Sequence, residues 1–150
     1  MWRSRALPVG QQEGETGSSM VETAFSSIVM LLLVLVVFEF GMVFSSYIAV
    51  INAARAGASY ASIHASPSDP ENGRYVAVAR DEARAAHLDM AQLTVGPAQT
   101  PEGNEPGKPI QVTVSYRLST FSSGISLPIF GRFGLPRYYT VAWTATAPIR

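Results

Sequence analysis

The sequence predicts an α+β fold: a long N-terminal transmembrane helix that extends into a small domain, where a second helix packs on a short antiparallel sheet of about three strands. Three observations lead there. Residues 23–38 are sixteen uncharged and mostly apolar residues in a row, close to what a bilayer crossing needs. Helix-compatible sequence then continues without proline to Ser62, and Pro67 with Pro70 is the first firm stop. Beyond that stop, one stretch with helical spacing precedes segments that alternate apolar and polar residues, the signature of half-buried strands.

The span comes first in this order. Between Glu22 and Arg55 the only charged residue is Glu39. Sixteen residues at helical rise cover about 24 Å, somewhat less than a hydrocarbon core of about 30 Å. The segment is longer than the apolar region of a cleaved secretory signal and starts later, which favours a stable span. Glu22 then stands near one interface. Glu39 has two readings: an acid at the other interface, with Phe40, Phe44 and Tyr47 in the aromatic belt, or a buried acid that needs a partner. Arg3 and Arg5 precede the span and only Arg55 follows closely, so the N-terminus is expected on the cytoplasmic side.

The helix is expected to run from Ser18 to about Ser62, on the order of 65–70 Å. Gly41, Ser45, Ala49, Ala53, Gly57 and Ala61 recur every fourth residue and form a stripe of small side chains, along which helix backbones can approach closely. About half of this stretch is Gly, Ala or Ser, so such a stripe also arises from composition alone. Residues 1–17, rich in Gly and charge, have nothing to pack and are expected to be disordered. The organisation is therefore a leader at 1–17, a helix at 18–62 and an outer domain at 63–150.

Within that domain, residues 66–73 read as a turn. Residues 74–90 read as a helix with Tyr75, Val78, Ala79, Ala83, Ala86 and Met90 on its apolar face. A short strand is expected at 92–95. Residues 110–119 give the clearest alternation, with Ile110, Val112, Val114, Tyr116 and Leu118 inward, and residues 137–146 form the last strand, with Tyr139, Val141 and Trp143 on one side. Residues 121–136 are apolar but broken by Gly and Pro and read as a loop, one that covers the sheet, meets another subunit or lies on the membrane surface.

Composition narrows the function classes. Lys+Arg and Asp+Glu both number 11, so no net field draws nucleic acid. The chain has no cysteine, which excludes disulfides, thiolate metal sites and cysteine nucleophiles. His64 and His87 lack metal-ligand spacing, and no nucleophile-elbow, phosphate-loop or dinucleotide motif occurs. No enzyme, metal or cofactor is expected.

Three motifs in order then point to a family. Gly17-Ser-Ser-Met-Val-Glu22 leads directly into the apolar helix, Glu39-Phe40-Gly41 follows, and Asn52-Ala-Ala-Arg-Ala-Gly57 comes next. Together they resemble the TadE-like pseudopilins of tight-adherence (Flp) pilus systems. The likeness covers residues 17 to 61; Glu13, Glu15 and Thr16 replace the usual basic leader, and Thr23 stands where an aromatic residue is common. The resemblance implies cleavage between Gly17 and Ser18 by a prepilin peptidase and a bacterial inner-membrane location with the C-terminal domain extracytoplasmic. It also implies contacts with other pilin-like subunits, inner-membrane assembly proteins and the lipid bilayer. Glu22 would then pair with the new α-amino group at Ser18. The competing reading is an uncleaved signal-anchor protein whose outer domain binds a partner.

Overall fold

The computed structural model describes residues 13–121, 125–127, 131–133 and 136–150, without the side chains of 13–16, 125–127 and 131–133. Its elements are α1 (Glu13–Ile63), α2 (Tyr75–Ala85), β1 (Leu93–Val95), β2 (Pro109–Ser119), β3 (Ile125–Leu127), β4 (Gly131–Phe133) and β5 (Tyr138–Pro148). The expected α+β class stands: one long helix, a second helix and a three-stranded antiparallel sheet of order β1-β2-β5.

The chain forms two compact units, one ending at Phe38 and the other running from Glu39 to Arg150. In the first unit α1 starts at Glu13, five residues before the expected Ser18, so residues 13–17 of the leader are helical rather than disordered. The expectation for residues 1–12 lies outside the described residues.

In the second unit, the C-terminal part of α1 and the whole of α2 cover one face of the sheet. The core joins Val50, Ala53, Ala54, Ala58 and Ala61 of α1, Tyr75, Ala79 and Ala83 of α2, and Leu93, Ile110, Val112, Val114, Tyr116 and Ala145 of the sheet. The alternation of β2 is observed as expected, with Ile110, Val112, Val114 and Tyr116 buried and Leu118 partly so. Antiparallel register sets Val114 opposite Trp143, Tyr116 opposite Val141 and Leu118 opposite Tyr139. Those β5 residues therefore share the inner face, since cross-strand partners point the same way.

The dimensions match. From Glu39 to Ser62 the helix rises about 35 Å, and the eleven residues of β2 span about 33 Å. The strand runs opposite to the helix. At one end, the Arg150 amide donates to the Ser62 carbonyl at 2.9 Å, which ties the C-terminus to the end of α1. At the other, the residue after Thr120 meets Glu39.

Two sequence expectations are corrected. The second helix stops at Ala85 instead of running to 90. His87 takes a left-handed φ of 61°, its amide donates to the Arg84 carbonyl at 2.9 Å and the Leu88 amide to the Ala83 carbonyl at 3.1 Å. That pair of bonds is a Schellman stop, with Leu88 folding back onto the core. Ala86, expected on the apolar face, is exposed as a result. The second correction concerns residues 121–136. They hold a short antiparallel hairpin in which Ile125 faces Phe133 and Leu127 faces Gly131, not a plain loop. The side chains of Ile125, Leu127, Ile129, Phe130, Phe133 and Leu135 lie outside the described residues.

Candidate functional site

Gly17, Ser18 and Glu22 lie on the first turns of α1 and are exposed. Among the described residues, a Cβ built at Gly17 meets nothing within 4 Å. Among the described residues Glu22 has no ion-pair partner. The apolar residues that follow, Phe25, Ile28, Met30, Leu31, Leu33 and Val37 among them, are exposed around the helix. A helix apolar all round is stable only in a protein core or in lipid, and this one is long and apolar enough to cross a membrane. Two of its polar side chains, Thr23 and Ser27, are satisfied within the helix. The Thr23 hydroxyl donates to the Ser19 carbonyl at 2.8 Å and the Ser27 hydroxyl to the Thr23 carbonyl at 2.7 Å, so neither hydroxyl is left unpaired in an apolar medium.

Glu39 is where α1 changes character. It is 3% exposed, in a stretch where Phe38 is 57% and Phe40 69% exposed. From here a buried stripe continues through Ser46, Val50, Ala53, Gly57 and Ala61. The carboxylate accepts a hydrogen bond from the backbone N–H of Phe121 at 3.1 Å, across 82 residues of sequence. A charge at the bilayer centre costs about 2.5–3.5 kcal/mol, and a buried carboxylate is tolerated when donors surround it. The acid is thus buried in protein, with a backbone donor. Thr120 continues the same joint: its amide donates to the Arg137 carbonyl at 3.2 Å and its hydroxyl to the Pro136 carbonyl at 2.7 Å.

The small-residue stripe divides. Ala49, Ala53, Gly57 and Ala61 are buried against the chain's own domain, whereas Gly41 and Ser45 are exposed. Each step of four residues turns about 40° past a full rotation, so a four-residue stripe drifts off any single face. At Gly57 a Cβ would lie 3.2 Å from the Ala79 Cβ and 3.4 Å from the Val112 Cγ1. Glycine here lets α1 approach α2 and β2 without pressing on either.

A polar cluster caps the far end of α1. His64 stacks on Tyr60 with ring centroids 4.5 Å apart, and its Nδ1 lies 2.9 Å from an Asp69 carboxylate oxygen. The Tyr60 hydroxyl donates to Glu71, and Arg74 pairs with the same carboxylate at 2.6 Å. The Glu71 amide and His64 hold Asp69 below the usual carboxylate range. Tyr60 and Arg74 do the same for Glu71, and the bond to Glu71 pushes the Tyr60 phenol up. Beside the cluster lies a cavity of about 240 Å³ lined by His64, Asn72, Thr100, Asn104 and Ile110. The Asn104 side chain donates to the Ala65 carbonyl at 2.9 Å, bracing the wall. Among the described residues no group of metal-ligating side chains converges. His87, the other histidine considered, serves the helix stop described above.

Sequence reasoning noted Glu39 but missed its partner, because no local pattern signals a bond from residue 121. It also missed the joining of His64 with Asp69 and Glu71, although the turn residues of 66–73 signalled a chain reversal there.

Residues 17–59 match the TadE-like protein family, a little over a quarter of the chain. That segment contains Gly17, Glu22 and Glu39 and ends in the stretch that packs on α2. No curated protein and no solved structure matches the chain.

Proposed function

We propose that this chain is a minor pilin-like membrane subunit that assists assembly of a tight-adherence (Flp-type) pilus or a related secretion system. The observation that carries the reading is the TadE-like match, which begins at Gly17 and runs through the apolar helix. TadE-like proteins are pilus-related and membrane-associated, and one exposed apolar helix fits a single-pass protein. In this reading a prepilin peptidase removes residues 1–17 on the cytoplasmic side, and the domain from residue 63 onward lies outside the inner membrane. Glu22, exposed beside the span, then neutralises the α-amino group of Ser18 on its own or a neighbouring chain. Helix packing between subunits is the activity, and the reading assigns no catalytic residue.

Two features support a packing role. Gly41 and Ser45 stay exposed while the rest of the small-residue stripe is used within the domain. Among the described residues a Cβ at Gly41 would meet nothing within 4 Å, which leaves this part of the helix surface open to a neighbouring backbone.

The test is complementation of a deletion strain. Wild-type protein restores surface filaments. Gly17→Leu and Glu22→Ala are expected to reach the membrane at normal levels yet restore filaments at least tenfold less well. Normal filaments with Gly17→Leu would contradict processing and leave the signal-anchor reading. Equal loss of membrane insertion and assembly in Glu22→Ala would contradict the proposed pairing.

A further inference from the structure

We infer that the turn following β2, at Phe121, is a second membrane contact: it is held at the lipid interface by Glu39 and faces the phospholipid of the same bilayer that α1 crosses. The inference needs the span but not the pilus reading.

Residues 23–38 alone fall short of a hydrocarbon core. Apolar sequence does not stop at Glu39, however; Phe40, Gly41, Met42, Val43 and Phe44 follow it. Phe40 and Phe44 are 69% and 53% exposed and stack on each other at 6.2 Å. Residues 23–44 would cover about 33 Å of helix, enough for a core of about 30 Å. The obstacle in that longer stretch is Glu39, and the fold removes it. Its carboxylate is buried and bonded to the Phe121 amide, so a lipid-facing surface at this level need not include a charge.

The same bond sets the depth of Phe121. Its backbone lies one hydrogen bond from a side chain that immediately follows the apolar run, while its ring is 71% exposed. An exposed phenylalanine tied to that level faces lipid. The neighbouring groups suit an interface. Arg137 is level with Thr120 through its carbonyl bond, and the guanidinium of Arg117 lies 4.0 Å above the Tyr138 ring, with that of Arg137 at 5.6 Å. Neither arginine makes an ion pair with a described residue. Tyrosine and arginine beside an apolar tip are the composition of a membrane–water boundary, where cationic side chains meet phosphate groups.

The chain lacks cysteine, so single labelled cysteines report one place each. The full-length protein would be reconstituted in phosphatidylcholine–phosphatidylglycerol vesicles with an environment-sensitive fluorophore at Phe121→Cys, Leu33→Cys or Thr113→Cys. Position 33 reports the span and position 113 the solvated outer face of β2. Lipid spin-labelled near the headgroup is expected to quench position 121 at least threefold more than position 113, and aqueous iodide to show the reverse order. Adding Glu39→Ala should bring position 121 close to position 113 while position 33 stays quenched. Quenching at 33 with 121 matching 113 would overturn the second contact; no lipid quenching at 33 or 121 would overturn the span and the contact together. The unsubstituted chain supplies a second readout with phospholipid carrying a photoreactive acyl chain. Adducts are expected around Phe121 as well as within residues 20–38, and adducts confined to 20–38 would overturn the inference.

Discussion

Gly57 and Gly41 are both glycines of α1, sixteen residues apart, yet they carry different duties. At Gly57 any added side chain enters the space of Ala79 and Val112. Gly57→Leu is therefore expected to destabilise the domain by about 3 kcal/mol, the upper part of the range for overpacked cores. At Gly41 an added Cβ meets nothing within 4 Å among the described residues and leucine gains helix propensity, so the melting temperature of Gly41→Leu should match or exceed wild type. Thermal unfolding of the detergent-solubilised chain measures both. If Gly41→Leu folds normally but fails to assemble filaments, the exposed part of the stripe is an intermolecular surface. Equal melting losses for the two variants would contradict the division of the stripe. At His87 the expectation runs the other way. A non-glycine residue at φ 61° carries a steric cost that glycine lacks, offset in part by glycine's greater entropy loss. His87→Gly should stabilise the domain by about 0.5–1 kcal/mol, which calorimetry would show as a rise of a few degrees.

At the scale of elements, legibility followed the strength of local patterning. The alternation of β2 was readable because each inward residue is large and apolar and each outward one polar. The end of α2 was not, because residues 86–90 keep good helix propensity and the stop is a left-handed histidine in place of the usual glycine. The hairpin β3–β4 was hidden by the glycines and prolines around it, which read equally well as loop. The Glu39 joint was half legible: an isolated acid in an apolar run demands a partner, but nothing near it in sequence names Phe121. The reversal at residues 64–74 yields a pH prediction. Asp69 and Glu71 have carboxyl groups held below their usual range in the folded chain. Their contribution is therefore fully present above the unfolded carboxylate values near about pH 4 and is lost as pH falls through the lower folded values. Melting temperature followed from neutral pH into the acid range should drop less in an Asp69→Asn, Glu71→Gln double variant than in wild type, although that variant starts lower. Parallel curves would contradict the assigned role of the cluster.

At the scale of the whole molecule, one helix performs two tasks, and the sequence separates them at Glu39. Before it the helix is apolar around its circumference, which suits lipid. After it, small residues line one side so that a helix and a sheet can pack closely, and α1 becomes part of a domain core. The domain built on residues 39–150 is thus continuous in sequence with the span that anchors it. The proposed role rests on how that helix begins, at Gly17 and Glu22, within the TadE-like match. The most direct test is the intact mass of the chain recovered from membranes of cells that possess the pilus system. The account predicts the mass of a chain beginning at Ser18, shifting to the full-length mass when the prepilin peptidase is deleted. Full-length protein in peptidase-positive cells, alongside normal filaments, would contradict it.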